Sequence, residues 1–240
     1  MKAESKKISA EEFSSVADAF FTENNSREAI KCYLNSVLMK RINPKAYKGL
    51  GKAYKSLKKF DKAADAFEKA KKMTPFDAEI YSELGICYLA QGNFCKAMKN
   101  IVQSIKIDPN NTDTQIQLAV AHEILGEEDM AIMIYQKIME TNPDCEKAFI
   151  QKASLLMQLE KYSEAIDIFS DILSLNPDYH RSYLGIGICL DKLGEPSKAK
   201  RYYKKYLNFM PEAANSSSVL NRLEYLANSI QKRENFLKIV

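Results

Sequence analysis

The 240-residue chain has no tryptophan and only two histidines. Charged or polar residues break every apolar run well short of the roughly eighteen residues that a membrane span needs. The opening stretch, Met1 to Phe13, is charged and has no apolar segment of the kind a secretory leader carries. We therefore expect a cytoplasmic chain without membrane insertion. Cysteine is sparse too. Cys32, Cys87, Cys95, Cys145 and Cys189 are an odd number with no CxxC pair, which argues against a disulfide framework or a zinc site. The net charge of +4 is too small to demand a nucleic-acid partner by itself.

Glycine is used little, yet it stands where helices would reject it. In YSELGICYLAQGNFCKA, Gly85 interrupts an apolar helical pattern, and glycine costs about 1 kcal/mol there relative to alanine. The reason lies in a repeat. Pro75, Pro109, Pro143, Pro177 and Pro211 follow one another at intervals of 34 residues. Ala29, Ala63, Ala97, Ala131, Ala165 and Ala199 keep the same interval. Twelve residues before each alanine stands a small residue, and four after it a bulky one such as Tyr33, Phe67 or Tyr203. Six units result, 10–43, 44–77, 78–111, 112–145, 146–179 and 180–213, flanked by segments 1–9 and 214–240.

This pattern resembles the tetratricopeptide repeat family. The third unit supplies its signature as Tyr81, Leu84, Gly85, Tyr88, Ala97 and Pro109. The resemblance implies an all-α fold, a right-handed α-solenoid of six helical hairpins. The family's usual tryptophan at position 4 is replaced by Phe13, Tyr47, Tyr81, Gln115, Phe149 and Tyr183. Gln115, together with Lys152 at a normally apolar place, marks local irregularity in the fourth and fifth units.

The physics of the positions agrees. Residues 4, 7, 8 and 11 of each unit share one face of a first helix. Small residues at position 8 and at position 20 on the second helix, as in Gly85 and Ala97, would allow close helix packing. Gly92, at position 15, suits a left-handed stop. Proline at position 32 ends the second helix, whereas Pro196 follows Gly194-Glu195 and suits a first turn. After Pro211, a serine cap and the stripe Leu220, Leu223, Leu226 and Ile230 read as a C-terminal capping helix.

Residues that could carry chemistry do not converge. GLGKAYK, from Gly49 to Lys55, superficially suggests a phosphate loop but falls mid-helix, and such a loop must follow a strand and open a helix. His122 occupies the packing position of Tyr88, as a core or half-buried side chain, and His180 fits a local polar contact at a helix start. No cluster has metal-ligand spacing. We expect no enzyme activity, no cofactor and no small-molecule substrate.

In the family, positions 2, 5, 9 and 12 of the first helices line a concave groove that receives peptides. Here those positions give a lysine bank in the second unit, with Lys48 and Lys52 at its centre, and an apolar floor beyond it. The floor comprises Ile86, Ile116, Val120, Ile150, Leu184 and Ile188. An apolar groove rimmed by charge suits an amphipathic segment, its acidic portion near the lysines. Alternatively, neighbouring first helices or the tail NFLKIV could cover the same residues. The second unit carries ten lysines against four carboxylates, and the fourth one lysine against seven carboxylates, so the surface is polarised. A carboxylate clamp of the chaperone-binding type does not fit, because Glu83, Asp113 and Gln117 follow where basic or amide residues belong. The expectation is a protein-interaction scaffold binding a peptide or helical segment. A recruiting subunit of an enzyme complex is the alternative, and RNA binding by the array is less favoured.

Overall fold

The computed structural model describes residues 9–237, with side chains described through residue 229. Of the segment 1–9, only Ser9 lies within it. Two compact units divide the chain, one ending at Glu127 and one beginning at Glu128. The first unit holds α1 (Ala10–Thr22), α2 (Ser26–Met39), α3 (Pro44–Ser56), α4 (Phe60–Met73), α5 (Ala78–Ala90), α6 (Phe94–Ile107) and α7 (Thr112–Ile124). The second holds α8 (Glu128–Thr141), α9 (Glu146–Gln158), α10 (Tyr162–Leu175), α11 (Arg181–Lys192), α12 (Pro196–Phe209) and α13 (Ser216–Leu237). No strand occurs among the described residues. The stretch 112–145 thus contributes α7 to one unit and α8 to the other.

Side-chain caps set many of the helix starts. Ser9 and Glu12 form a reciprocal capping box at α1, and the Asn43, Asn93 and Asn111 side chains accept from the first turns of α3, α6 and α7. Pro44 and Pro196 open α3 and α12, where a missing N–H costs nothing. Between the helices of each pair the chain turns through one left-handed residue. Gly92, Gly126 and Gly194 take φ of 71°, 75° and 74°, and Asn24, Lys58 and Glu160 take 59°, 57° and 59° at the same repeat position. The turn geometry is therefore constant, and glycine is only its cheapest occupant.

In the first unit α1 packs on α2, α3 on α4 and α5 on α6, while α2, α4 and α6 each pack on the next first helix. In the second, α9 packs on α10 and α11 on α12, with α8 against α9, α10 against α11, and α13 against α12. Ala97 is fully buried, but it is not what requires glycine at 85. A Cβ there would come within 2.5 Å of Ile101 Cγ1, whereas the Ala97 carbonyl would be 3.7 Å away. Likewise a Cβ on Gly51 would meet the Phe67 ring at 2.6 Å, and one on Gly187 the Tyr203 ring at 2.8 Å. The next hairpin's glycines do the same from the other side. Gly49 would strike Tyr33 at 2.3 Å and Gly185 would strike Phe169 at 2.5 Å. Tyr33, Phe67, Ile101, Phe169 and Tyr203, each four places after an alanine of the 34-residue series, are therefore the wedges, and the glycines make room for them.

The unit-four irregularity has a simple resolution. Tyr81 Oη donates to the Pro75 carbonyl at 3.0 Å, and Gln115 Nε2 donates to the Pro109 carbonyl at 2.7 Å. The amide replaces the phenol one repeat on. Lys152 places its ammonium on Gln136 Oε1, and burial pushes its pKa down. The terminal helix α13 buries Val219 and Leu226, whereas Leu220 is 55% exposed. The expected stripe is thus rotated. Val219 and Leu226 lie seven residues apart on one face, Leu223 flanks them half-buried, and the Ile230 side chain lies outside the described residues.

Gly85→Ala should destabilise the chain by about 1–3 kcal/mol through overpacking against Ile101, against an intrinsic helical gain of about 1 kcal/mol. Chemical denaturation would give the sign. Lys58→Gly and Glu160→Gly should each stabilise by about 0.5–1 kcal/mol by relieving left-handed strain, raising the thermal midpoint.

Candidate functional site

Each unit presents a first-helix face, and the residues expected to form a groove distribute unevenly over it. In the first unit Ile86 on α5 and Val120 on α7 are half-buried and reachable. Ile116 is not. It retains 3% exposure, and α7 lies against α5 with Gln117 Nε2 donating to Ser82 Oγ at 2.8 Å. Serine at the matching place on α5 is short enough for this approach. Ile116 is therefore core, and its expected place on an open floor is corrected. In the second unit Ile150 on α9 and Leu184 and Ile188 on α11 are half-buried. Ile188 borders an open cavity of about 330 Å³ with Asp191, Lys192, Tyr203 and Arg222.

The lysine bank is not a free cationic surface. Lys48 Nζ contacts Asp77 Oδ2 at 2.8 Å and also pairs with Glu79, which Lys52 engages on its other oxygen. Lys45 pairs with Asp18 at 2.8 Å, and Lys55 pairs with Glu83. Burial opposes charge on both sides of this ladder. Even so, the hydrogen bonds to Asp77 and Glu79 raise the Lys48 pKa, and those from Lys48 and Lys52 hold the Glu79 carboxyl below its usual range. Lys48, Lys52 and Glu79 line an open cavity of about 370 Å³ with Asp18, Phe21, Tyr33 and Gly49. Tyr33 Oη donates to Asp18 at 2.6 Å, and burial together with that carboxylate keeps the phenol protonated.

Sequence reasoning missed Asp77 and Glu79 as partners of the lysines. The signal was present. In a stack, the start of one first helix lies beside the middle of the preceding one, so acids at its first turn face lysines about thirty residues earlier.

Both histidines have structural surroundings. His122 Nδ1 contacts Glu127 Oε2 at 2.5 Å. His180 makes no polar contact through its buried Nδ1, contrary to expectation. Instead its ring stacks on Phe209, with centroids 4.0 Å apart and planes at 7°. Among the described residues no group of three His, Cys, Asp or Glu side chains could hold a metal ion. Nor is any described helix long and apolar enough to cross a membrane.

The profile described as "Intraflagellar transport protein 56" matches residues 48–237, and one described as "Tetratricopeptide repeat" matches residues 17–78. The chain belongs to the intraflagellar transport protein 56 family, of tetratricopeptide type. Its all-α fold of helical hairpins is the tetratricopeptide solenoid. Solved structures carry the same fold at low identity. PilW, a type IV pilus biogenesis factor, is 18% identical with a TM-score of 0.75, over 88% of this chain and 98% of that one. A tetratricopeptide repeat protein from Parabacteroides merdae is 14% identical with a TM-score of 0.72, over 94% and 87%. A chain of the APC/C hetero-tetramer Cut9–Hcn1 is 18% identical with a TM-score of 0.69, over 91% of this chain. This chain spans 43% of that one's length. No curated protein sequence matches.

Glu79→Gln should leave Lys48 and Lys52 short of a carboxylate and lower stability by about 0–1 kcal/mol at neutral pH, the range for exposed pairs. Because the folded-state carboxyl titrates below its unfolded value, its contribution is present above the usual carboxylate pKa and is lost as pH falls through the lowered one. The gap between variant and wild type should therefore close on acidification, as measured by urea melts across pH.

Proposed function

We propose that this chain is a non-enzymatic, cytoplasmic scaffold whose first-helix faces receive a segment of a partner protein. The observation that carries the reading is the half-exposed aliphatic set on those helices: Ile86 and Val120 in one unit, and Ile150, Leu184 and Ile188 in the other. The interhelical packing is satisfied by Leu50, Leu84, Phe149 and Ile186, all buried, so these aliphatics are left for a partner. Apolar positions bordered by charged side chains suit an amphipathic helix or an extended segment with alternating anchors. Lys48 and Lys52 enter the reading differently from the rest. An acidic partner residue would have to exchange with Asp77 or Glu79, so these lysines set register and selectivity more than affinity. The family's own description, an intraflagellar transport protein, makes a component of such a transport assembly the first partner to try.

Ile86→Glu with Val120→Glu should preserve helical content and thermal midpoint while reducing capture of partner proteins from the native cell by tenfold or more, on the scale of a lost hot spot. Ile116→Glu, by contrast, should unfold or strongly destabilise the chain by burying an unpaired carboxylate. Quantitative pull-down alongside circular dichroism separates the two. Undiminished capture by the first variant would remove this face from consideration.

A further inference from the structure

The second helices of the last two hairpins are mirror images in charge. On α10 the exposed side chains one turn apart are Glu164, Asp167 and Asp171. The residues 34 places later, on α12, are Lys198, Arg201 and Lys205, also exposed. α10 carries no Lys or Arg, and α12 carries no Asp or Glu. The match continues at the C-terminal end. Leu175 closes α10 at 55% exposure and Phe209 closes α12 at 52%, again 34 residues apart.

Most of these charges have no ion-pair partner among the described residues. Glu164, Asp167, Asp171, Arg201 and Lys205 form no ion pair there, although Glu164 and Asp171 lie near enough to Lys152 on α9 to favour its charge, and Lys198 reaches only Glu195 at 3.2 Å. This contrasts with the lysines of α3, whose carboxylates come from neighbouring helices. Two of the cations of α12 rest on ring faces instead. Lys205 Nζ lies 5.3 Å from the Tyr183 centroid and 5.5 Å from that of Tyr202, and the Arg201 guanidinium lies 5.7 Å from Tyr202. Phe209 is held by its stack on His180 and Tyr183. On this face only Lys198 meets a carboxylate, that of Glu195, and Arg201 and Lys205 lie over rings.

We propose that this face binds a second copy of the chain, α10 of each protomer lying on α12 of the other about a two-fold axis parallel to the helices. Geometry selects this operator. Short turns make α10 and α12 run in the same direction within one unit, so a two-fold along them exchanges the helices without changing height. Glu164 then meets Lys198 of the other copy, Asp167 meets Arg201, Asp171 meets Lys205, and Leu175 meets Phe209. Both halves of the contact form at once, as closed symmetry requires. A two-fold perpendicular to the helices would set α10 on α10, acid against acid, and is excluded by charge. Three charge pairs and an apolar contact in each half span about 16 Å of helix. That is a small interface, so the dimer is expected to be weak and salt-sensitive.

Sedimentation velocity on the full chain tests the proposal at concentrations up to the high micromolar range. Wild type should dimerise at about 0.1 M salt and at least about tenfold more weakly at 1 M, as the Debye length falls from about 10 to 3 Å. One variant carries Glu164→Lys, Asp167→Lys and Asp171→Lys, and the other Lys198→Glu, Arg201→Glu and Lys205→Glu. Each should be monomeric alone with unchanged helical content, and their equimolar mixture should restore a dimer containing both. Leu175→Ser with Phe209→Ser keeps every charge and should weaken the dimer at both salts. A monomeric wild type, or reversed variants that self-associate as wild type does, would overturn the proposal. So would a mixture that stays monomeric although both components are folded.

Discussion

The structure depends on one steric fit repeated along the chain, a large side chain on a second helix wedged against backbone that has no Cβ. Phe67 and Tyr203 press on Gly51 and Gly187 of their own hairpins, while Tyr33 and Phe169 press on Gly49 and Gly185 of the next. Within a hairpin this sets the spacing of the two helices. Between hairpins it sets how closely the next pair can be laid down. Glycine in a helix interior costs about 1 kcal/mol, less than burying an aromatic side chain returns, so the fit is favourable where the partner is large. Everything presented on the surface inherits its placement from this packing.

The first-helix face shows the consequence. Once adjacent first helices are held close, the residues between them must either be short or be paired. At Ser82 the side chain is short and is reached by the Gln117 amide, and Ile116 is enclosed beside them. At Lys48 and Lys52 they are long and charged, and half-burial requires the carboxylates of Asp77 and Glu79. Where neither condition applies, as at Ile86 and Val120, aliphatic surface stays reachable. The binding face is the remainder after the stack has met its own needs, which is why it is narrower than a list of groove positions suggests.

That distinction bears on what could be read in advance. The helix pattern, the left-handed turns and the role of the small residues were legible because each depends on residues of one repeat. The actual partner of Gly85 was read as Ala97 when it is Ile101, because interval alone does not say which side chain fills a gap. Ile116 and the lysine ladder were misjudged for a different reason. Their burial and charge are fixed by the preceding or following repeat, and a position-by-position reading treats each repeat as if it stood alone. Gln115 illustrates the converse. It departs from the pattern in residue type, yet keeps the hydrogen bond that Tyr81 makes to the matching proline carbonyl.

The outward positions of α10 and α12 answer to far less of such internal demand. Among the described residues no wedge, cap or ion pair uses Glu164, Asp167 or Asp171, whose part in the stack is a longer-range field at Lys152, and on α12 Arg201 and Lys205 lie over tyrosine rings while only Lys198 meets a carboxylate. Mutation there is nearly free of folding cost, since exposed charges change stability little. Charge of one sign along a whole helix, followed by the opposite sign at the same register on the next, is then a pattern that folding neither needs nor erases. It has to be explained by what the surface meets. The glycines and wedges account for where these side chains stand, and the chemistry of the partner has to account for what they are.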